Sequence, residues 1–296
     1  MSVSDHYDAA ADKYHEQYEK EGIFDLSREY PANYFRLQQL VSSFLQKKVK
    51  RVIEVGVGEG TPLATLANEG IEVSGFDISD AMVLRSKESV RRIGQDPDRI
   101  IWGDIQDPDS YKKLLSGGKF DALMAMGVMP HVADDDQCLT NMKALVKPGG
   151  HVFIEFRNKL FSLFTFNRNT YEFIMDELLF DVSPEMRAIV GDFLRERVVM
   201  EKPDIRSRHD DDATKPGYDA ILSKFHNPFT ILDKFNDLGF TDAKLLWYHY
   251  HPAMPLLSEQ NESEFRAEAV KLEGDTSNWR GMFLCSAFVV EAMVKD

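Results

Sequence analysis

Cysteine is scarce in this sequence. Only Cys138 and Cys285 occur in 296 residues, which excludes a disulfide framework and a cysteine-based zinc cluster. Basic charge is also short: 35 Lys and Arg stand against 49 Asp and Glu, a formal net charge of -14 that opposes phosphate backbones and anionic lipid. The densest basic stretch, KKVKR at 47–51, ends where an apolar run begins and reads as a solvated helix end. No apolar run approaches the roughly 18 residues of a membrane span, and the first residues lack the basic and apolar parts of a leader peptide. Nucleic acid and membrane are therefore not expected as partners, and a cytoplasmic setting is. What is present, 43% hydrophobic and 28% charged residues, is ordinary globular composition at a length that buries a core without staples.

Leu37, Leu40, Val41, Phe44 and Leu45 recur at helical spacing, so an amphipathic helix precedes residue 50. RVIEV at 51–55 is then a short β-branched strand breaking into glycines, with Thr61 as N-cap and Pro62 as first-turn proline of a helix to about Asn68. IEVSGFD ends a second strand at Asp77, and Ser79 is placed to cap the next helix. The alternation continues through strands at 100–104, 120–126 and 151–156, the last entered by a KPGG turn. Residues 157–225 interrupt it with an aromatic stretch and an amphipathic helix marked by Met186, Ile189, Val190, Phe193 and Leu194. A helix opening at Asn227-Pro228 and strands AKLLWYHY and MFLCSAFVVEA complete the chain. The expected fold is α/β: a Rossmann-like, doubly wound sheet of seven strands, mostly parallel with the last antiparallel. It divides into a helical cap at 1–48, a ligand-binding core at 49–156, a helical and aromatic insertion at 157–225 and a return to the sheet at 226–296.

The glycines of Glu54-Val-Gly56-Val-Gly58-Glu-Gly60 lie at the end of the first strand, where ligands bind in an open parallel sheet and a backbone without side chains lets them approach. Asp77 lies 23 residues after Glu54 at the tip of the second strand, where an acid accepts hydrogen bonds from both hydroxyls of a ribose. A dinucleotide site would prefer a further small residue where Thr61 stands, and Glu54 would crowd a pyrophosphate with negative charge.

With this acidic-x-Gly-x-Gly-x-Gly run, the sequence resembles the class I S-adenosylmethionine-dependent methyltransferases, over about residues 30–156 and, in topology, over the last 70. The resemblance implies S-adenosylmethionine as cofactor and S-adenosylhomocysteine as product. It sets Gly56, Gly58 and Gly60 under the methionine and ribose, Glu54 near the amino end, Asp77 on the ribose hydroxyls and Ile78 on the adenine. Asp104 in WGDI corresponds to the position that bonds the adenine amino group, with Ile105 beside it, and Gly127 to the backbone that meets the methionine moiety. YDAAADKYHEQY resembles the stretch laid over the cofactor, where Tyr7 and Tyr14 would close the pocket.

Methyl transfer from a sulfonium is an in-line displacement, so alignment and water exclusion matter most and a base is optional. His131, after the fourth strand, leads the candidates for a base, followed by His226 before the late helix. His249 and His251 alternate with tyrosines along a strand and read as packing. Arg157, after the fifth strand, offers a fork of donors to an anionic acceptor group. Asp134-Asp135-Asp136 reads as a helix first turn and His209-Asp210-Asp211-Asp212 as a solvated loop, so no metal is expected. The expected activity is methylation of an oxygen or nitrogen of a small molecule, of sugar or natural-product type, by a monomer or homodimer. A nicotinamide-dependent oxidoreductase, aminopropyl transfer and a cofactor-binding partner without turnover are the alternatives.

Overall fold

Apolar runs far apart in the sequence become neighbours in one sheet. A computed structural model describes residues 2–10, 32–201 and 222–295. In chain order the elements are α1 (Val3–Ala10), α2 (Ala32–Gln46), β1 (Arg51–Val55), α3 (Thr61–Asn68), β2 (Glu72–Asp77), α4 (Asp80–Arg92), β3 (Ile100–Trp102), α5 (Pro108–Tyr111), β4 (Phe120–Ala125), α6 (Asp135–Leu145) and β5 (Val146–Arg157). There follow α7 (Ser162–Thr165), α8 (Arg168–Glu172), a π-helical turn at Phe173–Leu178, α9 (Pro184–Arg195), α10 (Pro228–Asp237), β6 (Phe240–Tyr250), α11 (Glu262–Leu272), α12 (Gly281–Leu284) and β7 (Cys285–Val294).

The strand order is β3-β2-β1-β4-β5-β7-β6. β7 runs antiparallel to both β5 and β6, and the other described pairings are parallel, as the sequence leads one to expect. Successive strand residues feed opposite faces. Ile53, Leu123, Ile154 and Phe156 pack with Leu139 and Met142 of α6 and Phe235 of α10. Val52, Ala122, Met124 and Phe153 pack with Leu40 and Phe44 of α2, Leu63 of α3 and Val90 of α4. Both faces being covered, the central strands carry apolar residues on both sides, as in Val52-Ile53 and Ala122-Leu123-Met124-Ala125. No helix among the described residues is long and apolar enough to cross a membrane.

Local expectations fail where a specific competitor wins. Thr61 is the first residue of α3, not its cap: Gly60, at φ +90°, precedes the helix, and the Thr61 amide donates to Glu59 Oε1 at 3.0 Å. KPGG lies inside β5 as an irregularity where the ladder with β4 shifts register between Phe120 and Ala122. MFL before β7 belongs to α12, because Gly281 fits under Trp247, where a Cβ would lie 2.3 Å from the ring. Leu45 of the α2 stripe is exposed, and so is the apolar stripe of α9, which meets the body through Gly191 beside Tyr171 and Met175.

Candidate active site

The carboxyl ends of β1, β2, β4 and β5 share one edge, and the glycine run forms the turn that leaves β1 there. The amides of Gly56 and Val57 donate to the Phe76 carbonyl at 2.8 and 3.2 Å, lashing the loop after β1 to β2. Asp77 is buried, with Oδ2 accepting from the Gly58 amide and Oδ1 from the Ser79 amide, each at 2.9 Å. Burial raises its carboxyl above the ordinary value, and those backbone donors partly offset the shift. Each carboxylate oxygen keeps lone-pair capacity beyond the bond it accepts.

The three glycines divide by what surrounds them. A Cβ on Gly56 would lie 2.6 Å from the Val128 side chain and one on Gly60 2.8 Å from the Ser86 backbone, so protein packing requires both. At Gly58, φ +53°, and at Gly127, φ +80°, an added Cβ meets nothing within 4 Å. These two line open space, in which a ligand can reach the backbone. Glu54, 1% exposed, has an Oε2 without a hydrogen-bond partner. Its burial pushes the carboxyl well above the usual range; Arg36 opposes this, and Asp77 and Glu59 add to it. An orphaned buried carboxyl oxygen, an open glycine cradle and a ribose-type acid form a donor and acceptor set that fits an amino-acid nucleoside.

α1 lies across this edge. Ser4 Oγ donates to the Ile78 carbonyl at 3.0 Å, and Asp8 Oδ1 accepts from Ser79 Oγ and from the Ala81 amide. Tyr7 at the same time reaches beyond β4, its hydroxyl 3.0 Å from His131 Nε2. His131 Nδ1 lies 2.7 Å from the Leu222 carbonyl, which can only accept, so Nδ1 carries the proton and Nε2 accepts from Tyr7. Burial lowers the His131 imidazole to about 4, with Arg157 and His6 lowering it further and the Leu222 bond and Glu155 opposing. His131 is therefore neutral at pH 7.

Arg157 ends β5 and donates to Ser223 Oγ, on the segment that also holds Leu222. His226 is turned toward α6: Nε2 lies 3.3 Å from Asp135 Oδ2, and its ring meets Phe156 edge-on at 5.0 Å. Burial favours neutral Asp135, but His226 and Lys224 bring its carboxyl down to about 2. Asp134 caps α6 and Asp136 pairs with Lys234, so the aspartate run is a helix start. Asp104 Oδ1 accepts from the Gln106 amide at 2.9 Å in the turn after β3, and Ile105 faces the core near Tyr111 and Met142. Tyr14 and His209-Asp210-Asp211-Asp212 lie outside the described residues. His249 adopts φ +61° and its ring stacks on His251 at 4.9 Å, in line with a packing role.

Several residues of this edge went unnoticed in the sequence. Arg36 is buried on Glu155 and 3.4 Å from the Tyr248 hydroxyl, at four-residue spacing from Leu40 and Phe44; a cation on an apolar stripe is the signal that marks it. Trp102, in register with Asp77, is 46% exposed and donates its indole N–H to the Ile78 carbonyl at 3.0 Å. Nothing in the local pattern distinguishes Ser4 or Asp8.

A family model described as "Methyltransferase domain" matches residues 53–152. The chain is 27% identical over 148 residues to the ubiquinone biosynthesis O-methyltransferase of Coxiella burnetii (strain RSA 493 / Nine Mile phase I), covering 50% of this chain and 58% of that protein. It thus spans little more than half the length of that relative. The Acinetobacter baumannii (strain AYE) protein of the same name is 25% identical over 203 residues, covering 69% of this chain and 68% of the relative. Among solved structures, magnesium protoporphyrin IX methyltransferase from Synechocystis PCC 6803 with bound SAH superposes with a TM-score of 0.54 at 14% identity, over 99% of this chain and 98% of that one. Residues 53–152, β1 to β5, thus match a methyltransferase domain, and the chain has the fold of the class I S-adenosylmethionine-dependent methyltransferases.

Proposed function

We propose that this chain transfers a methyl group from S-adenosylmethionine to an acidic hydroxyl of a small molecule. The observation that carries the reading is the Tyr7–His131 pair, held by α1 over the same edge that presents Asp77, Gly58 and Glu54. When bound, the cofactor supplies an electrophilic methyl group. Asp77 would hold its ribose and Glu54 its ammonium, while Gly58 and Gly127 leave room for its backbone contacts. The Tyr7 oxygen can take the acceptor's proton while its own hydrogen passes to His131 Nε2, so one proton enters the relay and one arrives at the imidazole.

The strength of that base selects the acceptor. Moving a proton to an imidazole at about 4 from a phenol-like group near 10 costs about 8 kcal/mol, against about 16 from a water-like hydroxyl. A phenolic or enolic oxygen therefore suits this site, with Arg157 at the same edge to meet an accompanying anionic group. The relatives named O-methyltransferases agree with oxygen as the accepting atom. Of residues 157–225, the described part that meets this edge, Leu222 and Ser223 on His131 and Arg157, would lie beside the acceptor.

Titration calorimetry with S-adenosylmethionine, S-adenosylhomocysteine and NADH tests the cofactor. Micromolar binding of the first two and not the third is expected; NADH binding alone would transfer the site to an oxidoreductase. Asp77→Ala should weaken S-adenosylhomocysteine more than tenfold, since hydrogen bonds to a charged acceptor are worth about 1.5–3 kcal/mol each. An unchanged dissociation constant would remove Asp77 from the ribose.

Cofactor binding should also release a proton. Glu54 is neutral in the free chain at pH values below its raised value, and an ammonium beside Oε2 favours the ionised form. Affinity should accordingly rise with pH through that range and level off above it. Binding heats measured in two buffers of different ionisation enthalpy should differ in the wild type and agree in Glu54→Gln. Equal heats for the wild type in both would show that Glu54 does not change charge.

A further inference from the structure

Helix α9 inverts the usual arrangement of an amphipathic helix. Its apolar residues Met186, Ile189 and Phe193, at i, i+3 and i+7, are 50%, 64% and 54% exposed, and Phe180 beside them is 67% exposed. The opposite side meets the body through Gly191. Beside the helix a groove of about 470 Å³ runs along Tyr171, Met175, Phe180, Val182 and Arg187. A contiguous apolar face of this kind marks an interaction surface.

We propose that this face is the interface of a homodimer, in which the α9 helices of two copies pack in parallel about a two-fold axis. At 100° per residue, Glu185 and Asp192 fall on one flank of the apolar stripe, and Arg197, in the turn that follows the helix, falls on the other. A dyad along the helices sets Asp192 of each copy against Arg197 of its partner, at the g to e′ offset of a parallel pair. An antiparallel pair would set acid against acid. The face is therefore complementary to itself, as a two-fold interface requires. The present partners of these charges are local: Arg195 for Asp192 at 2.6 Å, Glu196 at 3.1 Å and the Phe193 carbonyl and ring face for Arg197, and Asp176 at 3.9 Å and the Phe180 carbonyl for Arg187. Such pairs hold little energy and exchange readily. An anionic membrane fits poorly, because the chain carries a net charge of -14.

Sedimentation velocity of the full chain at micromolar concentration should show a dimer. Ile189→Asp should convert it to a folded monomer whose thermal unfolding midpoint matches that of the wild type diluted until it is monomeric, because the residue is exposed in the single copy. Asp192→Lys should weaken association at least tenfold, and Asp192→Lys with Arg197→Asp should restore it; the charge variants keep the question open to test if Ile189→Asp fails to fold. The proposal is overturned by a wild-type monomer, by a dimer indifferent to Ile189→Asp, or by a charge swap that restores nothing. An Ile189→Asp midpoint below that of the diluted, monomeric wild type also overturns it, since the face would then be covered from within its own chain.

Discussion

Gly58→Val is expected to abolish cofactor binding while leaving the chain folded. The residue sits at φ +53°, in the left-handed region, where a β-branched side chain costs about 1–2 kcal/mol, so the unfolding midpoint should drop by a few degrees. No protein atom lies within 4 Å of the new Cβ, and the side chain therefore projects into space that only a ligand contests. Gly60→Val makes the contrast. Its Cβ would come within 2.8 Å of the Ser86 backbone at the joint between α3 and α4, and the loss there should appear in thermal unfolding before any ligand is added. Calorimetry with S-adenosylhomocysteine and a melt of each variant separate the two effects. Normal binding by Gly58→Val would mean that the open space above the glycine is not the cofactor's.

The distinction between those glycines was not legible in the sequence. Spacing put all three at a strand end, and only the neighbours brought by α4 and by the chain after β4 show which are required by packing. The sheet itself was legible, because parallel strands covered on both faces leave short apolar runs bounded by turn residues and alternating with helices. So was the pairing of the glycine run with Asp77, since both lie in adjacent strands a fixed distance apart. The approach of Tyr7 to His131 was not, being a contact across 124 positions made by a helix whose own pattern says little about where it docks. Helix α9 shows a subtler failure. Periodicity gave its existence and its apolar face correctly, but periodicity cannot say whether that face meets the body or the outside. Gly191, on the opposite side, decides it by letting that side sit close to Tyr171 and Met175.

His131→Ala should lower turnover by 10²- to 10⁴-fold, the usual worth of a positioned general base, with the S-adenosylhomocysteine dissociation constant within a factor of about three of the wild type. Acceptors for that measurement come from a panel of phenols and enols screened with the native chain. Tyr7→Phe should be milder. It removes the hydroxyl from the relay but leaves the Nε2 lone pair in place, because the Leu222 carbonyl still holds the proton on Nδ1. Both substitutions remove the bond between α1 and His131, while Ser4 and Asp8 keep the helix on Ile78 and Ser79, so cofactor affinity should change little, and alike, in the two variants. The two substitutions together should cost little more than His131→Ala alone, since residues that act in one relay are not additive. A double variant as slow as the product of the two losses would show that Tyr7 and His131 act independently, and equal turnover in His131→Ala would leave the imidazole as a prop for residues 222–226.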